Sequence, residues 1–293
     1  MGNYDTSATT LGNFGRKRQT GEPGVTEIKH PAKYSKTVWL AIYRDVAKLV
    51  NMHPEKHVWN VLDPFGGVGG IFDLHALSME YDASEVDFKI TCVEIEREWA
   101  DQAPMHDRYR QLNDNMLAMD FFDFAHHPSA HESFDIIITS PTYGNRMADH
   151  HEAKDDSVRN TYRHKLGRPL SEGSSAGLQW GDAYRDFHRA AWDEVFELLK
   201  PGGYFILNVK DHIRKEVKQP VASWHRAYCQ SIGFTKVEET RVPVQGNRQG
   251  ENGEARVSHE HVYVFRKPYT VSIDDMTAAE HAQQSILKGQ GIV

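Results

Sequence analysis

The chain has 293 residues, 39% of them hydrophobic and 26% charged, a balance that supports one large buried core or two small ones. Its formal charge of -7 excludes a protein that coats a polyanion with a uniformly basic surface, so any nucleic-acid partner has to meet a local positive face. Two cysteines exclude a disulfide framework or a four-cysteine metal site, and no apolar run reaches the length that a bilayer crossing needs.

Residues 1 to 29 read as a flexible arm, rich in Gly, Thr and Asn and holding the basic cluster GRKRQ at 15 to 19. The arm lacks the basic start and apolar middle of a signal peptide, and this predicts a cytoplasmic location. From 34 to 50, Val38, Trp39, Ile42, Tyr43, Val46 and Leu49 recur at helical spacing. HVWNVLDPFGGVGG, 57 to 70, then gives a short strand ending at Asp63, a glycine-rich turn and a helix over about 70 to 80. A second strand spans 88 to 96, a third leads into QLNDNML at 111 to 117, and a fourth is FDIIITS at 134 to 140. Continuously apolar strands at helix-sized intervals predict an α/β fold with a mostly parallel sheet covered on both faces.

Residues 144 to 181 break this rhythm with a polar, poorly periodic insertion, longer than an ordinary connection and typical of functional loops. A helix at about 182 to 199 follows, stopped by PGG at 201 to 203, and YFILNVK at 204 to 210 supplies a fifth strand. A helix over 221 to 231 leads to FTKVEETRVPV and EHVYVFRK, a closing antiparallel hairpin around a loop of turn composition. The tail from 268 to 293 reads as peripheral, with a short helix over 272 to 287.

The glycine-rich turn after Asp63 permits close approach of a ligand at a strand end. Its glycines, 66, 67, 69 and 70, do not make the GxGxxG of dinucleotide folds, and no GK[ST] follows to make a phosphate loop. Glu94, at the end of the second strand, is placed to accept from ribose hydroxyls, or is a solvated strand end. Asp114 or its neighbour Asn115, at the end of the third, suits an adenine amino group, the alternative for both being turn capping. TSPTYGNRM begins at the same sheet edge, so two unusual loops there describe one site. Ser140 offers a hydroxyl, Pro141 a carbonyl and Tyr143 a flat ring, the parts needed to hold an aromatic amine and stack on its base.

DPFGGVGG and TSPTYG, in that order on one sheet, resemble the cofactor and catalytic motifs of amino-group DNA methyltransferases, and HPAKYS at 30 to 35 resembles their upstream closing motif. The resemblance covers about 30 to 267, expected as one methyltransferase domain between the arm and the tail. It implies a Rossmann-like class I fold with a seven-stranded sheet, and S-adenosylmethionine as cofactor. That cofactor would be held by His30, Pro31, Ala32 and Lys33, by Asp63, Pro64, Phe65, Gly66, Gly67 and Gly69, and by Glu94 and Asp114 or Asn115. Ser140, Pro141, Thr142 and Tyr143 take the catalytic positions, and the serine places cytosine N4 ahead of adenine N6 as target. Thr142 departs from the family, which has a second proline there; threonine restores an amide donor and adds a hydroxyl. Neither Cys92 nor Cys229 follows a loop suited to C5 methylation.

RNTYRHKLGR, 159 to 168, carries Arg159, Arg163, Lys165 and Arg168 with a tyrosine and no acid, a pattern suited to phosphates and a stacked base. Its alternative is a solvated charged loop. Arg241, Arg248 and Arg256 flank or occupy the late loop and form a second basic group, and Asn208, Lys210, Asp211 and His212 follow the fifth strand toward the pocket. His150 and His151 are adjacent without further ligand spacing, so no metal is expected. Duplex DNA is the expected partner, with RNA as the rival and a non-catalytic binding homologue as the third reading.

Overall fold

The computed structural model describes residues 34–75, 86–102, 114–144, 162–214, 216–244 and 257–269. The chain opens with α1 (Lys36–Met52), which Ser35 caps by accepting a hydrogen bond of 3.2 Å from the Val38 amide. Its Val38, Ile42, Val46 and Leu49 are buried as the helical spacing predicts, together with Ala41, while Trp39 and Tyr43 of the predicted stripe are half-buried. Strand β1 (Val58–Asp63) runs into the glycine-rich turn and a short 3-10 helix, Gly70–Asp73. Then come β2 (Asp87–Glu94), α2 (Arg97–Ala100), β3 (Asn115–Ala118), α3 (Phe121–Ala125) and β4 (Phe134–Thr139). The insertion holds α4 (Tyr162–Leu166) and leads to α5 (Asp182–Leu198) and β5 (Leu199–Val209). A small ribbon, β6 (His212–Arg214) with β7 (Val217–Gln219), precedes α6 (Val221–Ser231) and the hairpin β8 (Thr235–Pro243) and β9 (His259–Arg266).

Seven strands form one sheet in the order β3-β2-β1-β4-β5-β9-β8. The first five are parallel, and β9 runs antiparallel to both β5 and β8. This is the Rossmann-like class I methyltransferase arrangement. The order reverses between β1 and β4, so the crevice beyond their carboxyl ends is the place where such sheets bind ligands. Alternate residues feed two cores. Val61, Ile136, Ile138 and Ile206 pack under α1, and Leu62, Ile137, Phe205 and Phe265 pack under α5 and α6 around the fully buried Trp192. Coverage of both faces is why β4 is buried along its whole length and reads as an unbroken apolar run.

Two boundaries differ from those expected. β3 begins at Asn115, and its register pairs Asn115 with Thr91 and Ala118 with Glu94, so Asp114 and Asn115 stand at its amino end. The helix before PGG ends at Leu198, as expected, but the strand expected from 204 takes in PGG at 201 to 203. β5 starts at Leu199 and carries the segment through a register shift, with Gly202 at φ +79°, because Leu199 already pairs with Phe134. The arm, residues 30 to 33 of the closing motif at 30 to 35, and the tail helix lie outside the described residues.

Candidate active site

The turn after β1 folds back onto the end of β2. Gly66 N–H donates to the Val93 carbonyl at 2.9 Å and Gly67 N–H to Glu94 Oε2 at 2.8 Å. Gly67 and Gly69 sit at φ +55° and +75°, conformations that a side chain disfavours. A methyl group on Gly66 would overlap the buried Cys92 sulfur beneath the loop. Asp63 Oδ1 accepts from the Phe65 amide at 3.1 Å, and Glu94 Oε1 accepts from the Glu96 amide at 2.8 Å. Burial pushes the Asp63 carboxyl up to about 7 and the Glu94 carboxyl up to about 8. The Tyr34 hydroxyl is buried without a partner among the described residues, and burial, then the Asp63 and Tyr143 groups near it, push its phenol well above the ordinary value. Tyr34 therefore stands between the two loops.

The second loop leaves β4 at Ser140. Ser140 Oγ and Tyr143 Oη are 2.8 Å apart, and Tyr143 Oη donates to Glu260 Oε2 at 3.2 Å. A phenol has one proton, so Ser140 is the donor of the pair. Asn208, from β5, lays its amide nitrogen against Ser140 Oγ at 3.1 Å, Tyr143 Oη at 2.9 Å and Glu260 Oε2 at 3.0 Å, and its carbonyl oxygen has no partner among the described residues. One lone pair of Ser140 Oγ thus stays open to a ligand N–H.

Thr142 is fastened twice. Its hydroxyl donates to the Ser175 carbonyl at 3.1 Å, and its carbonyl accepts from Tyr184 Oη at 2.7 Å. Behind Tyr184 lies His225 Nε2 at 2.9 Å, and Trp192 Nε1 donates to His225 Nδ1 at 2.8 Å. That bond leaves Nε2 as the protonated nitrogen of a neutral ring, and burial holds His225 well below the usual histidine range. The Gly144 carbonyl accepts from the Trp180 amide at 3.0 Å.

The insertion is a strap along this edge. Arg168 donates to Glu96 at 2.8 Å and to Glu98 at 2.7 Å, and Ser171 donates to Glu96 through its amide and its hydroxyl, each at 2.9 Å. Gly173 then passes so close to Asp120 that a Cβ would lie 2.7 Å from Oδ2, and Ser175 reaches Thr142. The strap crosses the ends of β2, β3 and β4 in turn.

The structure brings Asp63, Pro64, Phe65, Gly66, Gly67, Gly69 and Glu94 together with Ser140, Pro141, Thr142 and Tyr143 at one edge. It corrects Asp114: Oδ2 lies 2.6 Å from His75 Nε2 and Oδ1 accepts from the Ile90 amide, so the carboxylate is spent inside the sheet, and Asn115 is exposed beside it. The acid at the carboxyl end of β3 is Asp120, which caps α3 through the Phe122 amide at 2.7 Å. Arg168 is corrected as well, because two carboxylates neutralise it and it holds the strap rather than a phosphate. Arg163 and Lys165 lie half-buried on α4, and Arg159, Arg248, Arg256, His150 and His151 fall outside the described residues. Asp211 turns from the pocket to the Ala222 amide and Lys218, each at 2.8 Å. Sequence reasoning missed Glu260, Asp120, Tyr184 and His225; only Asp120, an acid before an apolar run, carried a local signal.

The sequence profile of a family described as DNA methylase matches residues 134–289. No curated protein sequence matches the chain. Among solved structures, the chain is similar to the N-methyltransferase NodS from Bradyrhizobium japonicum WM9 in complex with S-adenosyl-L-homocysteine. That likeness has 14% identity and a TM-score of 0.45 over 80% of this chain and 89% of that one. It is similar also to a methyltransferase from Pyrococcus furiosus, with 13% identity and a TM-score of 0.44 over 80% of this chain and 84% of that one. The [4+2]-cyclase SpnF, at 13% identity and a TM-score of 0.44, matches over 79% of this chain and 83% of its own.

Proposed function

The chain belongs to the DNA methylase family and is an S-adenosylmethionine-dependent methyltransferase; on that premise we propose that it methylates an exocyclic base amine in duplex DNA, cytosine N4 ahead of adenine N6. The observation that carries this reading is the open lone pair of Ser140 Oγ, held by Tyr143 and Asn208 beside the glycine loop. A hydroxyl in that state accepts an amine proton.

The residues present fit the cofactor. Two buried carboxylates raised to about 7 and about 8 have no charged partner among the described residues, Asp63 meeting only the Thr139 hydroxyl and the Phe65 amide, and Tyr34 Oη beside Asp63 is a polar atom without a partner among them. Glu94, each oxygen of which accepts one amide, keeps lone pairs that would accept from ribose hydroxyls, and Asp120, past the carboxyl end of β3, would accept from an adenine amino group. S-adenosylmethionine, when bound, supplies a methyl group on a positively charged sulfur.

A base amine is a poor nucleophile because its lone pair is conjugated into the ring. Ser140 Oγ and the Pro141 carbonyl, accepting its two protons, turn that lone pair out of conjugation and fix its line of approach, which lowers the barrier by orientation and electrostatics. The base has to leave the stack to reach them, and the Tyr143 ring offers a face that recovers part of the unstacking cost. Where the family has a stiffening proline, Thr142 is held by its hydroxyl on Ser175 and its carbonyl on Tyr184, a substitute for rigidity that favours a working enzyme over a silent homologue.

The test is transfer of labelled methyl to unmodified duplex DNA by wild type and S140A. We expect wild-type transfer, at least 100-fold slower transfer by S140A, and the same cofactor affinity in both. Equal rates would sink the assignment of Ser140, and transfer confined to structured RNA would move the substrate.

A further inference from the structure

We propose that Glu260 receives the proton that the base amine gives up, by way of Ser140 and Tyr143. The inference rests on the base-amine reading above and adds to it the fate of the departing proton. Three observations carry it.

First, the hydrogen bonds run in one direction. Ser140 Oγ–H points to Tyr143 Oη at 2.8 Å, and Tyr143 Oη–H points to Glu260 Oε2 at 3.2 Å, so each group is already set to pass a proton outward. Second, the sheet brings a distant residue to this place. β9 is antiparallel to β5, with Asn208 opposite Val262 and Val209 opposite His261, so the start of β9 lies at the edge where β5 ends and where the Ser140 loop leaves β4. Third, Asn208 touches all three oxygens with one amide nitrogen and keeps the file in line. Within this file Glu260 is the terminal group, and a carboxylate is the only member that gains a proton without losing one.

The step balances as follows. The amine lone pair forms the N–C bond, and the C–S bond breaks with its electrons going to sulfur. The N–H bonding pair returns to nitrogen as its proton passes to Ser140 Oγ, the Ser140 proton to Tyr143 Oη, and the Tyr143 proton to Glu260. Ser140 and Tyr143 end as they began, and Glu260 ends protonated until solvent or product release resets it. Tyr143 does not need to ionise, since it gives and takes in the same event; burial and the nearby Glu260 charge keep its phenol well above the ordinary range. Tyr143 meets Glu260 directly; His259 and His261 flank it on β9, Arg241 of β8 pairs with His261, and His212 lies against the Tyr143 backbone.

Single-turnover methyl transfer to duplex DNA by wild type, E260Q, E260D, Y143F and the E260Q/Y143F double variant tests the relay. We expect E260Q and Y143F each to slow the step by about 100-fold at neutral pH with cofactor affinity unchanged, and the double variant to be no slower than the worse single. E260D, which keeps a carboxylate at the end of the file, should recover at least roughly a tenth of the wild-type rate. A rate within threefold of wild type for E260Q, an E260D rate as low as that of E260Q, or additive losses in the double variant would overturn the relay and leave the base-amine reading standing. Absence of wild-type transfer to DNA and to structured RNA alike would overturn both. Y143F, which keeps the ring and loses the hydroxyl, decides the matter if E260Q fails to bind cofactor.

Discussion

Gly66→Ala is the perturbation whose cost follows most directly from the packing. The added carbon would overlap the Cys92 sulfur, and Cys92 is fully buried in β2 between Asp63 of β1 and Met116 of β3, so the loop has to move. Outward movement stretches the Gly66 bond to Val93 and the Gly67 bond to Glu94, each worth about 1 kcal/mol, and overpacking adds roughly 1–3 kcal/mol. A loss of roughly 3–5 kcal/mol is expected in urea denaturation, with a cofactor-product affinity at least tenfold weaker by calorimetry. Removing the sulfur relieves the clash: the next contacts of that carbon are Cys92 Cβ and the Val93 carbonyl, both at 3.5 Å, which is ordinary van der Waals distance. Cys92→Ala alone should cost about 1 kcal/mol for its small cavity, and the double variant should be more stable than G66A, a coupling of at least about 1.5 kcal/mol. If G66A matches wild type, or if the double variant loses the sum of the singles, the close approach of loop to strand is refuted.

Asp63 and Glu94, raised to about 7 and about 8, favour their protonated forms in the folded protein without ligand. Their contribution to stability is full below the unfolded values near about 4 and is lost as pH rises through about 7 and about 8, so the ligand-free protein should melt lower at pH 8.5 than at pH 5.5. A positively charged cofactor with hydroxyl donors favours the ionised forms, so binding near pH 6.5 should release protons, seen as buffer-dependent heat; identical heats in buffers of different ionisation enthalpy would contradict this. Arg168→Ala leaves Glu96, which has no exposed surface, with Ser171 as its remaining side-chain donor, and should cost about 2–4 kcal/mol while leaving the salt dependence of DNA affinity unchanged. A salt slope lower by about one phosphate, with stability intact, would return Arg168 to the polymer.

The central strands were legible because both faces of β1, β4 and β5 are covered, which writes continuous apolar runs into the sequence, and the hairpin β8–β9 announced itself by alternation around a turn-rich loop. β3 was misplaced because NMLA is short, half-exposed and without pattern, and that error put Asp114 at the carboxyl end of the strand, where Asp120 stands. What made Asp114 look available was its polar neighbourhood; what occupies it is His75 and a β2 amide, contacts set by the sheet and invisible to local spacing. Arg168 misled for the same reason, since its two acids lie about 70 residues upstream in the chain. The glycine loop and the Ser140 tetrapeptide were legible as local motifs, whereas Glu260 and the Tyr184–His225–Trp192 chain depend on register and packing between distant elements.

The central claim is methyl transfer to an exocyclic base amine, and nucleoside mass spectrometry after incubation with methyl-labelled S-adenosylmethionine and unmodified DNA or RNA tests it most directly. The account predicts labelled N4-methylcytosine, or else N6-methyladenine, in the DNA digest, and labelling at least 100-fold slower when Ser140 is alanine. Label on C5 of cytosine, or on neither polymer while the protein binds its cofactor, would contradict it.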